Sequence, residues 1–448
     1  MHEIGRGSPC GSPKDYTFVR PRLAPRACGI CSTPTPLEHL RLLAKLSQTD
    51  GMVNKQMINF ACRHYKSSWP CVFNKKDGSE CPSCVHASEF KERVLFIKLD
   101  SIGDVLRSAS LLPAIVARHH APYVAWLTKK ESIDLVGMLK YVDEVIELSE
   151  IGLARLMTQG WDCIYSLSND LPSASIATVV PAKRDPIGYY LQDGTIKASN
   201  AAAERWLEMA AFNRLKRQNK ETYQHLMLKI IDENYCTQVA PPALEISEPL
   251  RAYAAARVSA LFGASVRRRV AINVGAGDRW PKKMLTAEQI YQYSQLLNRR
   301  MNVDVLLVGG AAEAEKAKAI MALCASDNRV RAALTETSVP ALVAILNESD
   351  VLLCGDTLAL HIATAINLPT VAVFGPTSSA EIQDFDGLIA KTWASHLDCL
   401  VCYGDCAKQN NCMSLLEVEH LVDLTKVQLS RSRAKNPGSS FLKLNEDT

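Results

Sequence analysis

The chain has 448 residues, 47% of them hydrophobic, and a mean hydropathy near zero, which is too long for one ordinary core and fits two or three soluble globular domains. Its net charge of +4, from 51 basic and 47 acidic residues, is too small an excess to argue for a nucleic-acid partner. No run of about 18 apolar residues marks a spanning helix, and the first residues lack the apolar core of a secretory signal, so a cytoplasmic protein is expected.

Residues 1–50 are rich in Pro, Gly, Arg and Ser and read as a loose tail holding one short helical stretch, LEHLRLLAKL. Residues 51–90 are polar, turn-rich and rich in cysteine. Residues 91–245 alternate: VLFIKL is a strand, Val105 to His119 a helix, YVAWLT a strand, ESIDLVGML a helix, VDEVIEL and DCIYSLS strands, and KETYQHLMLKIIDENY a helix. QVAPPALEISEP reads as a linker. The pattern restarts over 246–398, with strands RRVAIN, VDVLLVGG, DVLLCGD and TVAVFGPT separated by helical runs. Residues 399–430 add a second cysteine cluster and a helix, and 431–448 a tail. Strands alternating with helices predict α/β domains with parallel, doubly wound sheets. Two such domains enclose a cleft lined by loops at the carboxyl ends of their strands.

Four of those loops carry chemistry. Gly103-Asp104 follows the first strand, where glycine allows a tight turn and an acid faces the positive end of the helix. Asp104 is either a capping residue or a general base at the cleft floor. The loop Gly275-Ala276-Gly277-Asp-Arg-Trp-Pro-Lys-Lys283 offers bare amides and a point cation, which suit a phosphate. Gly309-Gly310 precedes a helix with Glu313, a carboxylate placed for ribose hydroxyls or for solvent. Asp356-Thr357 opens a helix that carries His361, and Gly375-Pro376-Thr377 ends the next strand.

This combination resembles glycosyltransferase family 9, the heptosyltransferases of the two-domain GT-B fold. The resemblance rests on Gly103-Asp104-Val105, on Asn273 to Thr286 with Lys283, on Asp356 to His361 and on Phe374 to Thr377, and runs from about 93 to 425. Leu358 and Leu285 depart from it, standing where glycine and tryptophan are common. The resemblance implies two Rossmann-like domains, an acceptor domain on the Gly103 and Asp104 side and a donor domain after the linker. It implies inverting transfer of a heptose from an ADP-sugar to a hydroxyl of a glycan or a protein, with Asp104 as base. Lys283, the 275–277 amides and the helix start at Asp356-Thr357 would hold the diphosphate, with no divalent ion. Association with an inner membrane face and assembly into homo-oligomers are compatible with it.

Fifteen cysteines complete the sequence. Cys163, Cys236, Cys324 and Cys354 read as buried thiols. Cys399-x2-Cys402-x3-Cys406-x5-Cys412 is a compact thiolate set suited to tetrahedral zinc or iron in a structural role. Cys62-x8-Cys71-x9-Cys81-x2-Cys84, with His64 and His86 nearby, is a second set, and unmetallated thiols packed in turns are the alternative for both. Cysteine-rich segments of this kind resemble autotransporter heptosyltransferases that carry iron. The rival readings are an inactive transferase-like body that binds partners through metal knuckles, and a nucleotide-sugar epimerase.

Overall fold

The computed structural model describes residues 57–67, 69–235, 238–275, 283–325, 327–334, 338–404 and 406–432. The chain divides into a unit of Met1–Met57 and a unit of Ile58–Thr448, and the second carries everything below. The expected tail helix, the last sixteen residues, Cys236, Ala276 and Gly277 lie outside the described residues.

Two six-stranded sheets make the frame. The first holds β1 (Glu92–Ile97), β2 (Pro122–Thr128), β3 (Glu144–Glu147), β4 (Cys163–Ser166), β5 (Ile187–Gln192) and β6 (Thr195–Ala198), ordered β3-β2-β1-β4-β5-β6. The second holds β7 (Arg269–Asn273), β8 (Asp304–Gly309), β9 (Val330–Leu334), β10 (Val351–Gly355), β11 (Thr370–Phe374) and β12 (Ile389–Trp393), ordered β12-β11-β10-β7-β8-β9. Pairing is parallel except for the β5–β6 hairpin at one edge. The strand order reverses between β1 and β4 and between β7 and β10, and ligands of such sheets bind at these switch points.

Parallel strands covered by helices on both faces must be apolar throughout, and β2, β8, β10 and β11 are buried at every position. Helix Ala287–Met301 shows how local signals set an element. Thr286 and Gln289 cap its start reciprocally, Asn302 ends it in the left-handed region, and Ile290, Tyr293 and Leu297 form its buried stripe. One apolar cluster runs from the first sheet through Ile102 and Leu358 into the second. Among the described residues no helix is long and apolar enough to cross a membrane.

Two expectations change. The helix expected from Val105 begins at Ile102, capped by Ser101, and breaks into short pieces up to Ala117. The turn is therefore made by Asp100-Ser101, and Gly103 is helical. Several elements also lacked a clear periodic signal, among them the β5–β6 hairpin and helices Ala201–Ala211, Asn213–Gln218 and Glu248–Phe262.

Candidate active site

The carboxyl ends of β1, β7, β8, β10 and β11 open onto one cleft of about 750 Å³. Its lining includes Gly103 and Asp104 from the first half, and Gly275, Lys283, Gly309, Gly310, Glu313, Asp356, Thr357, His361 and Thr377 from the second. Residues of widely separated sequence thus meet at the two switch points.

Asp104 occupies the third position of its helix. Its carboxylate accepts from the Ser101 hydroxyl at 2.7 Å and pairs with Arg107 at 2.7 Å, one turn on. About a third of its side chain, 34%, reaches the cleft. Burial works against its charge, but Arg107, Lys98 and the Ser101 hydrogen bond outweigh it and hold the carboxyl well below the usual range. Asp104 is both a member of a capping network and a cleft residue.

Gly103 serves close approach rather than turning. A Cβ there would lie 3.1 Å from His361 Cδ2 and 3.7 Å from the Leu358 Cα, so the missing side chain lets the two halves touch. His361, 9% exposed, faces Arg107, Asp356, Asp104 and Lys283. Burial, reinforced by the Arg107 charge, lowers its pKa to about 4, so the imidazole is neutral at pH 7.

Lys283 Nζ lies 3.3 Å from Asp356 Oδ2. Burial opposes the Asp356 charge, but the Lys283 ammonium keeps this carboxyl below its ordinary value. Thr357 stands at the N-terminal boundary of helix Leu358–Ala365 and accepts from Asn273 Nδ2 at 3.2 Å, which ties the β10 turn to the β7 turn. Glu313 lies across Gly275 and Gly309, where any Cβ would collide with it, and its Oε2 accepts from the Gly310 N–H at 2.8 Å. Among the described residues, Arg107 Nε, a buried polar atom of the cleft lining, has no partner at bonding distance.

Gly375 and Pro376 do not line the cleft. A Cβ on Gly375 would overlap Cys412 Sγ, and the Pro376 carbonyl accepts from the Tyr403 N–H at 2.9 Å. The motifs also missed residues that stand in or beside the cleft. Arg107 stacks on Tyr223, 3.8 Å from the ring centre, and Lys98 is buried with Asp100 at 2.6 Å. Glu381, Tyr403 and Lys216 join the lining. Only Arg107 had a signal, its spacing of three from Asp104.

Both cysteine sets gather in space. Cys62, Cys71, Cys81 and Cys84 line one small cavity with His64, whereas His86 instead bonds Asp77 at 3.0 Å and stacks on Phe73. The Cys412 thiol is pushed up by burial and by the neighbouring Cys402, Cys406 and Cys399. Even so, no three His, Cys, Asp or Glu side chains among the described residues are placed to hold a metal ion. The described residues thus do not show the expected metal knuckles. Cys163, Cys324 and Cys354 are buried, as expected.

Comparison with known proteins bears on this arrangement. Residues 153–411 match the family model described as "Glycosyltransferase family 9 (heptosyltransferase)". Lipopolysaccharide heptosyltransferase 2 of Escherichia coli strain K12 is 23% identical over 314 residues, covering 64% of this chain and 83% of that protein. Among solved structures, a family 9 glycosyl transferase from Veillonella parvula matches with a TM-score of 0.62 at 14% identity, over 77% of this chain and 98% of its own. The E. coli ADP-heptose lps heptosyltransferase II matches with a TM-score of 0.57 at 19% identity, over 76% and 99%.

Proposed function

The chain belongs to glycosyltransferase family 9 and is a glycosyltransferase, and we propose that it moves a heptose from an ADP-sugar to an acceptor hydroxyl with inversion at the anomeric carbon. The observation that carries this reading is the division of labour across the cleft. Asp104 stands on one wall, while the glycine turns, Lys283 and the helix start at Thr357 stand on the other. A base and a leaving-group site on opposite walls suit a single in-line displacement, which inverts the centre it acts on.

In this reading Asp104 accepts the proton of the attacking hydroxyl, a contribution of about 10²- to 10⁴-fold. Its lowered pKa makes it a weak base in the empty cleft. An acceptor that draws Arg107 away from it would restore basicity when the proton has to move. Lys283, the Gly275 turn and the amides at Thr357 offset the charge gained by the departing diphosphate, with no call on a divalent ion. Asp356 positions Lys283, and Glu313 holds ribose hydroxyls beside Gly310. Neutral His361 fills the floor between the walls without adding charge. The names of the E. coli relatives support ADP-heptose as donor and a lipopolysaccharide glycan as acceptor. A protein hydroxyl is the other acceptor class of this proposal, and the cytoplasmic side is its compartment.

Purified protein given ADP-heptose should release ADP, slowly alone and faster with an acceptor glycan, and mass spectrometry should find the acceptor heavier by one heptose. Silence with ADP-, UDP- and GDP-sugars alike would sink the reading and favour the inactive binding body.

The cysteines support a structural metal, iron or zinc. None of the described residues from 57 to 91 is buried, yet the segment has a defined path around the cavity lined by four cysteines. A segment that small without a core needs a cross-link or a metal to hold it. Thiolate ligands would close the set by turning their sulfurs inward. Elemental analysis of the purified protein should find metal. Cys62→Ser with Cys71→Ser should remove the N-terminal share and leave the rest, whereas metal-free protein with full activity would discard this part.

A further inference from the structure

The loop that bears the C-terminal cysteines also reaches into the cleft. It is fastened to the turn after β11 by main-chain bonds. The Val401 N–H donates to Gly375 O at 2.8 Å and the Tyr403 N–H to Pro376 O at 2.9 Å. Cys412 closes the other side, its sulfur packed on the Gly375 α-carbon. Val401 and Tyr403 both sit in the left-handed region, with φ of 59° and 51°. That conformation is costly for a β-branched valine and persists only where the surroundings impose it.

The consequence of this path is the position of Tyr403. Standing between Cys402 and Cys406, it joins the cleft lining, and its hydroxyl donates to the buried Glu381 at 2.7 Å. The first half of the molecule meets it there. Helix Asn213–Gln218 places Lys216 Nζ 4.3 Å from the centre of the Tyr403 ring, and Arg217 Nε donates to Val401 O at 3.0 Å. Lys216 lines the same cleft. One loop thus grips the turn after β11 through backbone bonds and the opposite half through two cations.

We propose that the Cys399–Cys412 loop is a latch on the donor site, in which Tyr403 and Lys216 close one rim of the cleft and set the affinity for the nucleoside diphosphate of the donor. The inference rests on the transferase reading above and adds the residues that retain its donor. Tyr403 is a positioning residue: it orients Glu381 and holds Lys216 over its ring, where the ammonium faces an entering diphosphate. The cysteines around it keep the loop in the conformation that delivers the ring.

The test measures the ADP dissociation constant by calorimetry, with donor KM, kcat and melting temperature, for the full-length protein. Tyr403→Ala loses the ring contact and the Glu381 bond, and should weaken ADP and raise donor KM by about tenfold with kcat held within about twofold. Tyr403→Phe keeps the ring and should show about a third of that effect. Lys216→Ala should weaken ADP by a few-fold, and the Lys216→Ala, Tyr403→Ala double variant should be less weak than the product of the singles, because the two groups share one contact. Wild-type ADP affinity and KM in Tyr403→Ala would overturn the latch, and so would additive single effects. A fall in melting temperature and kcat with KM unmoved would overturn it too, reducing the loop to a structural strut. Should the wild-type protein bind no ADP, the transferase reading itself fails, an outcome distinct from unaltered variants of a protein that does bind.

Discussion

The two walls of the cleft hold their chemistry in different ways. The first-half wall is built of paired side-chain charges: Asp104 with Arg107 at 2.7 Å and Lys98 with Asp100 at 2.6 Å, packed around Tyr223. The second-half wall is built largely of backbone, where Gly275 and Gly309 make room for Glu313 and Thr357 opens a helix beside the Lys283–Asp356 pair. A wall of charge pairs can govern where a proton rests. A wall of glycine turns can bring amides against a flat or anionic ligand. If this contrast reflects the reaction, damage to the first wall should appear in kcat and damage to the second in donor affinity. The largest effect is expected at Asp104. Asp104→Asn keeps the shape and removes the base, so kcat should fall by about 10²- to 10⁴-fold while ADP binding stays near normal. Retained turnover would break the comparison at its strongest point.

His361 lies where the walls meet, and its test is pH. The groups facing it are Arg107 and Asp104 from the first half and Asp356 and Lys283 from the second. Its folded pKa of about 4 lies below the ordinary 6.5, so the folded state favours the neutral ring. The stabilisation is therefore complete above pH 6.5, declines as pH falls from 6.5 towards 4, and is spent below that. It amounts to at most about 3 kcal/mol. Denaturant midpoints of the wild type should fall between pH 6.5 and about 5, above the range in which carboxylates of the unfolded chain begin to protonate. In His361→Asn that slope should be flat, and a slope unchanged by the substitution would remove His361 from its cause.

How much of this could be read beforehand varies with the physics. Apolar strands such as VLLCG and TVAVF announce themselves, because strands covered on both faces allow little else. The strand-end loops were legible for the same reason, since topology fixes where they open. The role of Gly103 was not: the turn lies at Asp100-Ser101, and the glycine answers to His361, a residue more than two hundred positions away. Of the Gly375-Pro376-Thr377 turn, read as a donor contact, Thr377 lines the cleft while Gly375 faces Cys412. Glu381, Lys216 and Tyr403 were invisible because they reach the cleft from a single 3₁₀ turn, a short helix of weak pattern and irregular backbone, respectively. Gathering of the cysteines could be foreseen from spacing, whereas the direction of each sulfur depends on rotamers that spacing does not determine.

On the second wall, Lys283 offers the next largest effect. Removing a cation that meets a diphosphate costs about 1.5–3 kcal/mol, so Lys283→Ala should weaken ADP by roughly 10- to 100-fold. Because Asp356 would be left buried without that partner, Lys283→Arg is the informative companion. It keeps the charge and should recover most of the affinity if charge is what matters.

The smallest effects give the finest comparison, from one added methyl on each wall. Gly103→Ala puts a Cβ 3.1 Å from His361 Cδ2, tight enough that one helix must give by a few tenths of an ångström. Overpacking of that order costs about 1 kcal/mol. It would nudge Asp104 away from the far wall, so kcat should fall a few-fold with ADP affinity unchanged. Gly275→Ala instead drives its methyl into the Glu313 side chain, which must swing out of the slot it shares with Gly309. That displaces the carboxylate from the Gly310 amide and should raise donor KM a few-fold with kcat nearly intact. Both substitutions are chemically identical and both disturb a packed glycine, so general destabilisation would move them together. Opposite movements in kcat and KM can arise only if the first wall governs the proton and the second the donor. Parallel movements would mean that the cleft behaves as one packed unit and that the division between its walls is not functional.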